Sequence, residues 1–470
     1  MKIIHRIRTP EAQALAKFFT LSHEIYLAPL VLTTFFFVST HSAQAQIDTS
    51  RADSTPIHTP SNWNSHFQWT SIIQEHAGFS APYSGSNSLQ PGHERRLSIT
   101  STLFFGEKLW KNAEGYLNIE LGGGGGLSNA LGIAGFPNGE VYRIGDPAPV
   151  IYPARVYLRQ TFPLASEEEE LEDAPNQLPG LHYEDKVVLT AGKFSLTDYF
   201  DNNRFSHDPR TQFMNWSIMS MGAWDYAADT RGYTWGALAE LIRPAFEARF
   251  AAVMVPTSAN GPDFDHNIGK AYSFNGEVVQ GFTLLDEPGR VHFVGYLNKA
   301  NMGNYLQALS LGDSVADIIK TRTYNSIKYG GGISLEQSIN ANIGFFSRYS
   351  WNDGHTETWA FTEIDRSFQF GFQFQGDLWK RTGDCFGVAA VYNSLSPEHR
   401  TYLAAGGLGF IIGDGALSYA TESIYELYYS AHFTSSLTIS ADYQMVLNPA
   451  YNQDRPGPIH IFALRGHFAM

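Results

Sequence analysis

Between Asp198 and Trp235 the chain gathers side chains suited to holding a solute without making or breaking bonds. Carboxylates and amides stand at Asp201, Asn202, Asn203, Asp208, Gln212, Asp225 and Asp229, guanidiniums at Arg204, Arg210 and Arg231, and indoles at Trp216, Trp224 and Trp235. Flat rings stack on the apolar face of a small cyclic solute, while charged and amide groups exchange hydrogen bonds with its hydroxyls. Opposite charges side by side set up a transverse field that admits polar solutes and disfavours simple ions. Arg155, Arg159 and Glu240, on flanking strand-like segments, extend the same lining. A second assignment stands beside this one. The three tryptophans would then belong to a membrane-interface belt, and Arg204, Asp208 and Arg210 would pin a loop through ion pairs.

Nothing in the chain calls for covalent chemistry. The sixteen histidines form no H-E-x-x-H pattern and no G-x-S-x-G occurs. Asp263-Phe264-Asp265-His266-Asn267 begins like a calcium loop, but the glycine falls at Gly269 and no Glu stands at the twelfth position, which excludes an EF-hand. Leu121–Leu127 encloses five glycines without a following Gly-Lys-Ser/Thr. It reads as close backbone approach or a loop against a wall, not a phosphate cradle. No catalytic residue, metal ligand or cofactor is assigned.

The elements that position these residues follow from composition and period. Charged residues make up 17% of the 470, against 14% aromatic, with 43 glycines, a profile suited to short strands and turns. The net charge of −14 argues against nucleic-acid binding. Cys385 is the single cysteine, so no internal disulfide forms; it reads as a small half-buried residue.

Lys2, Arg6, Arg8 and Lys17 precede an apolar run from Ile25 to Val38, and small residues at Ala43 and Ala45 fit a cleavage site. Residues 1–45 are expected to be a signal peptide; without its four basic and two acidic residues the chain carries −16. A membrane anchor is the alternative. Downstream, no apolar run approaches the ~18 residues of a helical span.

Period-two alternation recurs instead. Phe368, Phe370, Phe372 and Phe374 alternate with Gln369, Gly371 and Gln373, and Leu437, Ile439, Ala441 and Tyr443 with Thr438, Ser440 and Asp442. Tyr425, Leu427 and Tyr429 alternate with Glu426, Tyr428 and Ser430, and the alternation of Ile339–Tyr349 and of Arg155–Arg159 reads the same way. Alternation alone fits a soluble sandwich or a membrane barrel. Aromatics near strand ends and mixed charges on the polar faces favour an all-β transmembrane antiparallel barrel. At about 20–25 residues per strand and connection it would have about 16 strands. An aromatic final strand, Phe462, Leu464 and Phe468, supports this, although Ala469 and Met470 follow it. The expected division is a periplasmic segment over 46–92 and a barrel over 93–470. The acidic run 166–181 reads as a solvated loop.

Three blocks carry a resemblance. They are AGKFSLTDYFDNNRFSHDPRTQFMNWSIMSMGAWD (191–225), running on to Gly236; Arg155-Val156-Tyr157-Leu158-Arg159-Gln160; and the C-terminal Gly406–Phe468 with its Tyr425-Glu426-Leu427-Tyr428-Tyr429. Over residues 90–468 the chain resembles the carbohydrate-selective porins typified by OprB. The resemblance implies a 16-stranded outer-membrane barrel, narrowed by inward-folded loops, that passes mono- and oligosaccharides by passive diffusion. It implies outer-membrane lipids and the barrel-assembly machinery as further partners, and leaves the number of protomers open. A size-limited general channel, a barrel enzyme and a secreted carbohydrate-binding β-protein are the competing classes.

Overall fold

A computed structural model describes residues 62–141 and 148–470; the expected signal peptide lies outside them. Sixteen strands close into one antiparallel barrel. In chain order they are β1 (Trp63–His76), β2 (Glu94–Trp110), β3 (Ala113–Gly124), β4 (Val150–Pro163), β7 (Lys186–Phe194), β8 (Thr234–Arg243), β9 (Phe246–Val253) and β10 (Tyr272–Leu284). Then follow β11 (Glu287–Met302), β12 (Thr323–Asn340), β13 (Ile343–Asn352), β14 (Arg366–Gln375), β15 (Cys385–Ser394), β16 (Glu422–His432), β17 (Leu437–Leu447) and β18 (Ile459–Ala469). A separate two-stranded hairpin, β5 (Glu168–Leu171) with β6 (Gly180–Tyr183), stands between β4 and β7.

The faces of this barrel are inverted relative to a soluble protein. In β14 Gln369 is 0% exposed and Phe368 is 45% exposed. The same holds for Asp442, Gln444 and Glu426, which are buried, against Leu427 and Phe462, which are exposed. Polar groups face the lumen and apolar ones face outward, the arrangement that lipid demands. An arginine on the outer face should therefore be costly. Phe370→Arg, midway along β14, is expected to destabilise the barrel in vesicles by about 2–4 kcal/mol in equilibrium unfolding.

The barrel begins thirty residues before its expected start near position 93. β1 pairs with β18 from Gln68↔Ala469 to His76↔Ile461, and with β2 from Trp63↔Glu107 to His76↔Glu94. Without β1 the strand count would be odd, and β2 would meet β18 running parallel. The Ser, Thr, Asn and Pro content of 46–92 concealed a strand whose inward face is polar. Met470 joins the ladder as well, exchanging two 2.9 Å backbone bonds with Phe67. A smaller correction concerns Ile339–Tyr349, which is not one strand: Ala341 and Asn342 turn the chain between β12 and β13.

One end of the barrel carries mostly tight turns, and the other carries the long connections 77–93, 195–233 and 395–421. In bacterial barrels these ends face the periplasm and the exterior respectively. Among the five glycines, Gly124 holds φ +89°, and a Cβ there would lie 2.0 Å from the Leu97 carbonyl oxygen. The calcium-like start at 263–267 is a local turn in which the Asp265 carboxylate accepts the Asn267 N–H at 2.8 Å.

Candidate constriction of the lumen

The loop 195–233 leaves β7, crosses the lumen and returns to β8. The wall of β10–β18 holds it at short intervals. Glu277 accepts the Asp201 N–H at 2.9 Å, Glu336 the Arg204 N–H at 2.6 Å, and Glu426 those of Met214 and Asn215 at 2.5 and 3.0 Å. Gln369 donates to the Ser220 carbonyl at 2.7 Å, and Arg465 to those of Pro209 and Gln212 at 2.6 and 2.8 Å. Arg348, 1% exposed, is the hub. Its Nε bonds Asp201 Oδ1 at 2.7 Å and its Nη atoms reach the carbonyls of Ile218 at 3.0 Å and Ser206 at 2.5 Å. Lumen-facing charges thus satisfy backbone groups that a buried loop would otherwise leave unpaired.

With that side filled, open space remains against β2, β3 and β4. A cavity of about 270 Å³ lies there, lined by Thr100, Glu120 and Arg155 of the wall and by residues of the loop, with Phe136, Glu140 and Phe361 from other connections. A bulge aims Arg155 into it. Asn118 faces Arg155 across the ladder and Ile119 faces Pro153, so Ala154 is the extra residue. Tyr152 and Arg155 both point inward as a result, although three positions apart.

Each charge in the cavity is answered. Arg155 grips Asp198 through two bonds of 2.7 and 2.5 Å. Arg210 lies 3.4 Å from Glu120 and 2.8 Å from Glu140. Tyr233 donates to Glu120 at 3.1 Å, and Tyr152 donates to the same carboxylate. The Arg231 guanidinium sits 4.4 Å above the Tyr152 ring centre. Beside these charges runs an aromatic stack. Trp216 lies 4.9 Å from Phe136 at 17° and 5.1 Å from Phe361, and Tyr226 lies 5.1 Å from Phe361 at 28°.

Burial pushes the Glu140 carboxyl up, against the pull of Arg210. At Asp208 burial is outweighed by Arg210 and its backbone N–H, which hold the carboxyl below the ordinary range. A group raised in this way takes up its proton earlier as pH falls, and its negative charge is then lost from the lining. Mild acidification should therefore shift the reversal potential of a salt gradient toward anion preference, and Glu140→Gln should flatten that response.

Of the residues singled out in the sequence, Arg155, Asp208, Arg210, Trp216 and Arg231 line this cavity. Asp201, Asn203, Trp224 and Asp225 do not; they are loop fasteners. Asn203 donates to Ser334 at 3.1 Å and Trp224 Nε1 to Asn275 at 3.0 Å, and Asp225 accepts the N–H groups of Trp359 and Ala360 at 2.8 and 2.7 Å. Arg204 bonds Ser338 at 2.8 Å, below the loop. Glu240 pairs with Arg249 at 3.4 Å on the wall. Arg159 lies toward the turn end, 3.7 Å from Glu114. Trp235 is on the outer face, 44% exposed, whereas Trp216 and Trp224 are buried inside. Glu120, Glu140, Phe136 and Phe361 went unremarked, because they come from segments far from 198–235. For Glu120 the inward parity of β3 was the available signal.

The family model of the carbohydrate-selective porins, OprB family, matches residues 106–470. Among solved structures, OprB of Pseudomonas putida aligns with TM-score 0.66 at 17% identity, covering 87% of this chain and 94% of that one. OmpF of Salmonella typhi aligns at TM-score 0.46 and 9% identity, over 87% and 97% of the two chains. A search of curated proteins gives no match.

Proposed function

The chain belongs to the carbohydrate-selective porin, OprB family, an outer-membrane passive diffusion channel, and from that premise we propose that small neutral sugars are the solutes its constriction favours. The observation that carries this reading is that the Phe136–Trp216–Phe361–Tyr226 stack and the paired Arg155–Asp198 and Arg210–Glu120 groups line one cavity. A pyranose offers an apolar face to such rings and a rim of hydroxyls to such charges. Because the cavity's arginines and carboxylates are largely spent on each other, the lining presents dipoles more than net charge, which suits a neutral polyol. A volume near 270 Å³ is of the order of one or two sugar rings.

The pore-lining set in this reading is Arg155, Asp208, Arg210, Trp216 and Arg231, joined by Glu120, Glu140, Phe136, Tyr226 and Phe361. Family and fold mark a channel rather than an enzyme. Liposome swelling with hexoses, disaccharides and neutral amino acids tests the preference. Hexoses should enter faster than amino acids of smaller mass; rates that follow mass alone would reduce the protein to a size-limited channel.

A further inference from the structure

The turn end of the barrel carries an insertion that the channel reading does not use. At 111–112, 244–245, 285–286 and 341–342 the chain reverses tightly, yet between β4 and β7 it runs out through 164–185 and builds the β5–β6 hairpin. The tip of that hairpin is fastened to residues that face the lumen. Asn64 Nδ2 donates to the Asp173 carboxylate at 2.7 Å and to the Gln177 carbonyl at 2.8 Å. His66 Nε2 lies 3.0 Å from the same Asp173 oxygen, and Arg159 donates to the Asn176 carbonyl at 3.2 Å. Leu178 is buried at 3% exposure.

The register places this seat directly beneath the constriction. Asn64 faces Gly106, Gly106 faces Tyr116, and Tyr116 faces Tyr157. That row crosses four strands, two residues along β4 from Arg155, or about 7 Å. Gly106 is the one position in the row without a side chain, and a Cβ there would come within 2.5 Å of Asn64 Oδ1. A solute leaving the cavity on the β1–β4 side therefore meets the tip next.

We propose that the 164–185 hairpin is a second constriction, an exit strap seated by Asn64 and Arg159 across the periplasmic mouth on the side where the channel is open. It rests on the channel reading and adds that the loop 195–233 is not the only element setting conductance. The polar hold on the tip comes from three wall side chains, Asn64, His66 and Arg159, and involves no backbone bond of the barrel ladder, so the tip lifts without disturbing that ladder.

Two variants test it in planar bilayers, with heat-modifiable gel mobility reporting on folding. In one, 164–185 is replaced by Asn-Gly, a pair that turns a hairpin tightly; in the other, Asn64→Ala removes the seat. The deletion is expected to roughly double single-channel conductance, and Asn64→Ala to give an intermediate value or flickering between the two levels. Should the deletion fail to fold, Asn64→Ala decides alone. A folded variant with the conductance and current noise of the unaltered protein overturns the strap. An unaltered protein that does not conduct at all would instead strike at the channel reading.

Discussion

Replacing Arg348 by methionine is expected to raise single-channel conductance severalfold and to lower the barrel's resistance to denaturation. The side chain is fully enclosed between β13 and the inserted loop, and it answers Asp201, Ile218 and Ser206 at once. Removing one member of a buried ion pair leaves the other unpaired, at about 3–5 kcal/mol. Asp201 retains the Met221 N–H at 2.7 Å, which offsets only part of that. Its backbone at φ +54° is an uncommon conformation for a non-glycine residue, held by the same contacts. The loop would then be free to leave β12–β14, and the lumen it fills would open. Arg348→Met with Asp201→Asn separates the two effects. The double variant should recover most of the stability while keeping the enlarged conductance. If both variants conduct as the unaltered protein does, the loop is held by its remaining fasteners alone and Arg348 is not the hub.

The second large effect concerns Trp216. Its ring is packed among Phe136, Phe361 and Tyr226, and it lines the cavity. Aromatic pairs contribute about 0.5–1.5 kcal/mol beyond area burial, and a sugar face laid on the stack draws on the same surface. Trp216→Ala should therefore weaken sugar-induced current block by ~10-fold or more, since 1.4 kcal/mol is a factor of ten. Salt conductance should stay level or rise, because the cavity widens. Trp235→Ala is the matched control. Trp235 sits on the outer face, so its loss should leave sugar block unchanged.

How much of this was legible depended on where neighbours in space are neighbours in sequence. β14 announced itself because its four phenylalanines alternate with amides and a glycine without a break. β1 did not, because Ser65 and Ser71 share its outer face and Ile72 its inner one, which blurs the period. Trp235 was misplaced for a related reason. In β8 the inward Leu238 and Ile242 are as apolar as the outward Ala237 and Leu241, so only Thr234 and Glu240 mark the inward parity, which Trp235 does not share. The stretch 198–235 was read as a candidate constriction, and all of it but the start of β8 lies in the loop that crosses the lumen. Its residues divide between lining and fastening only once the wall is present. Asp201 and Asp208 look alike in sequence; one meets Arg348 from β13 and the other faces the open side. Arg155 lines the cavity, yet the bulge at Ala154 that turns it inward has no residue signature.

The central claim is that the stack and the paired charges form one site for a small sugar within an open channel. Its most direct test is the concentration dependence of current block by glucose in planar bilayers holding single channels. The account predicts a reversible block that saturates, is weakened by Trp216→Ala and is untouched by Trp235→Ala. A current that falls only in proportion to solution viscosity, with no saturation and no difference between the two variants, would contradict it.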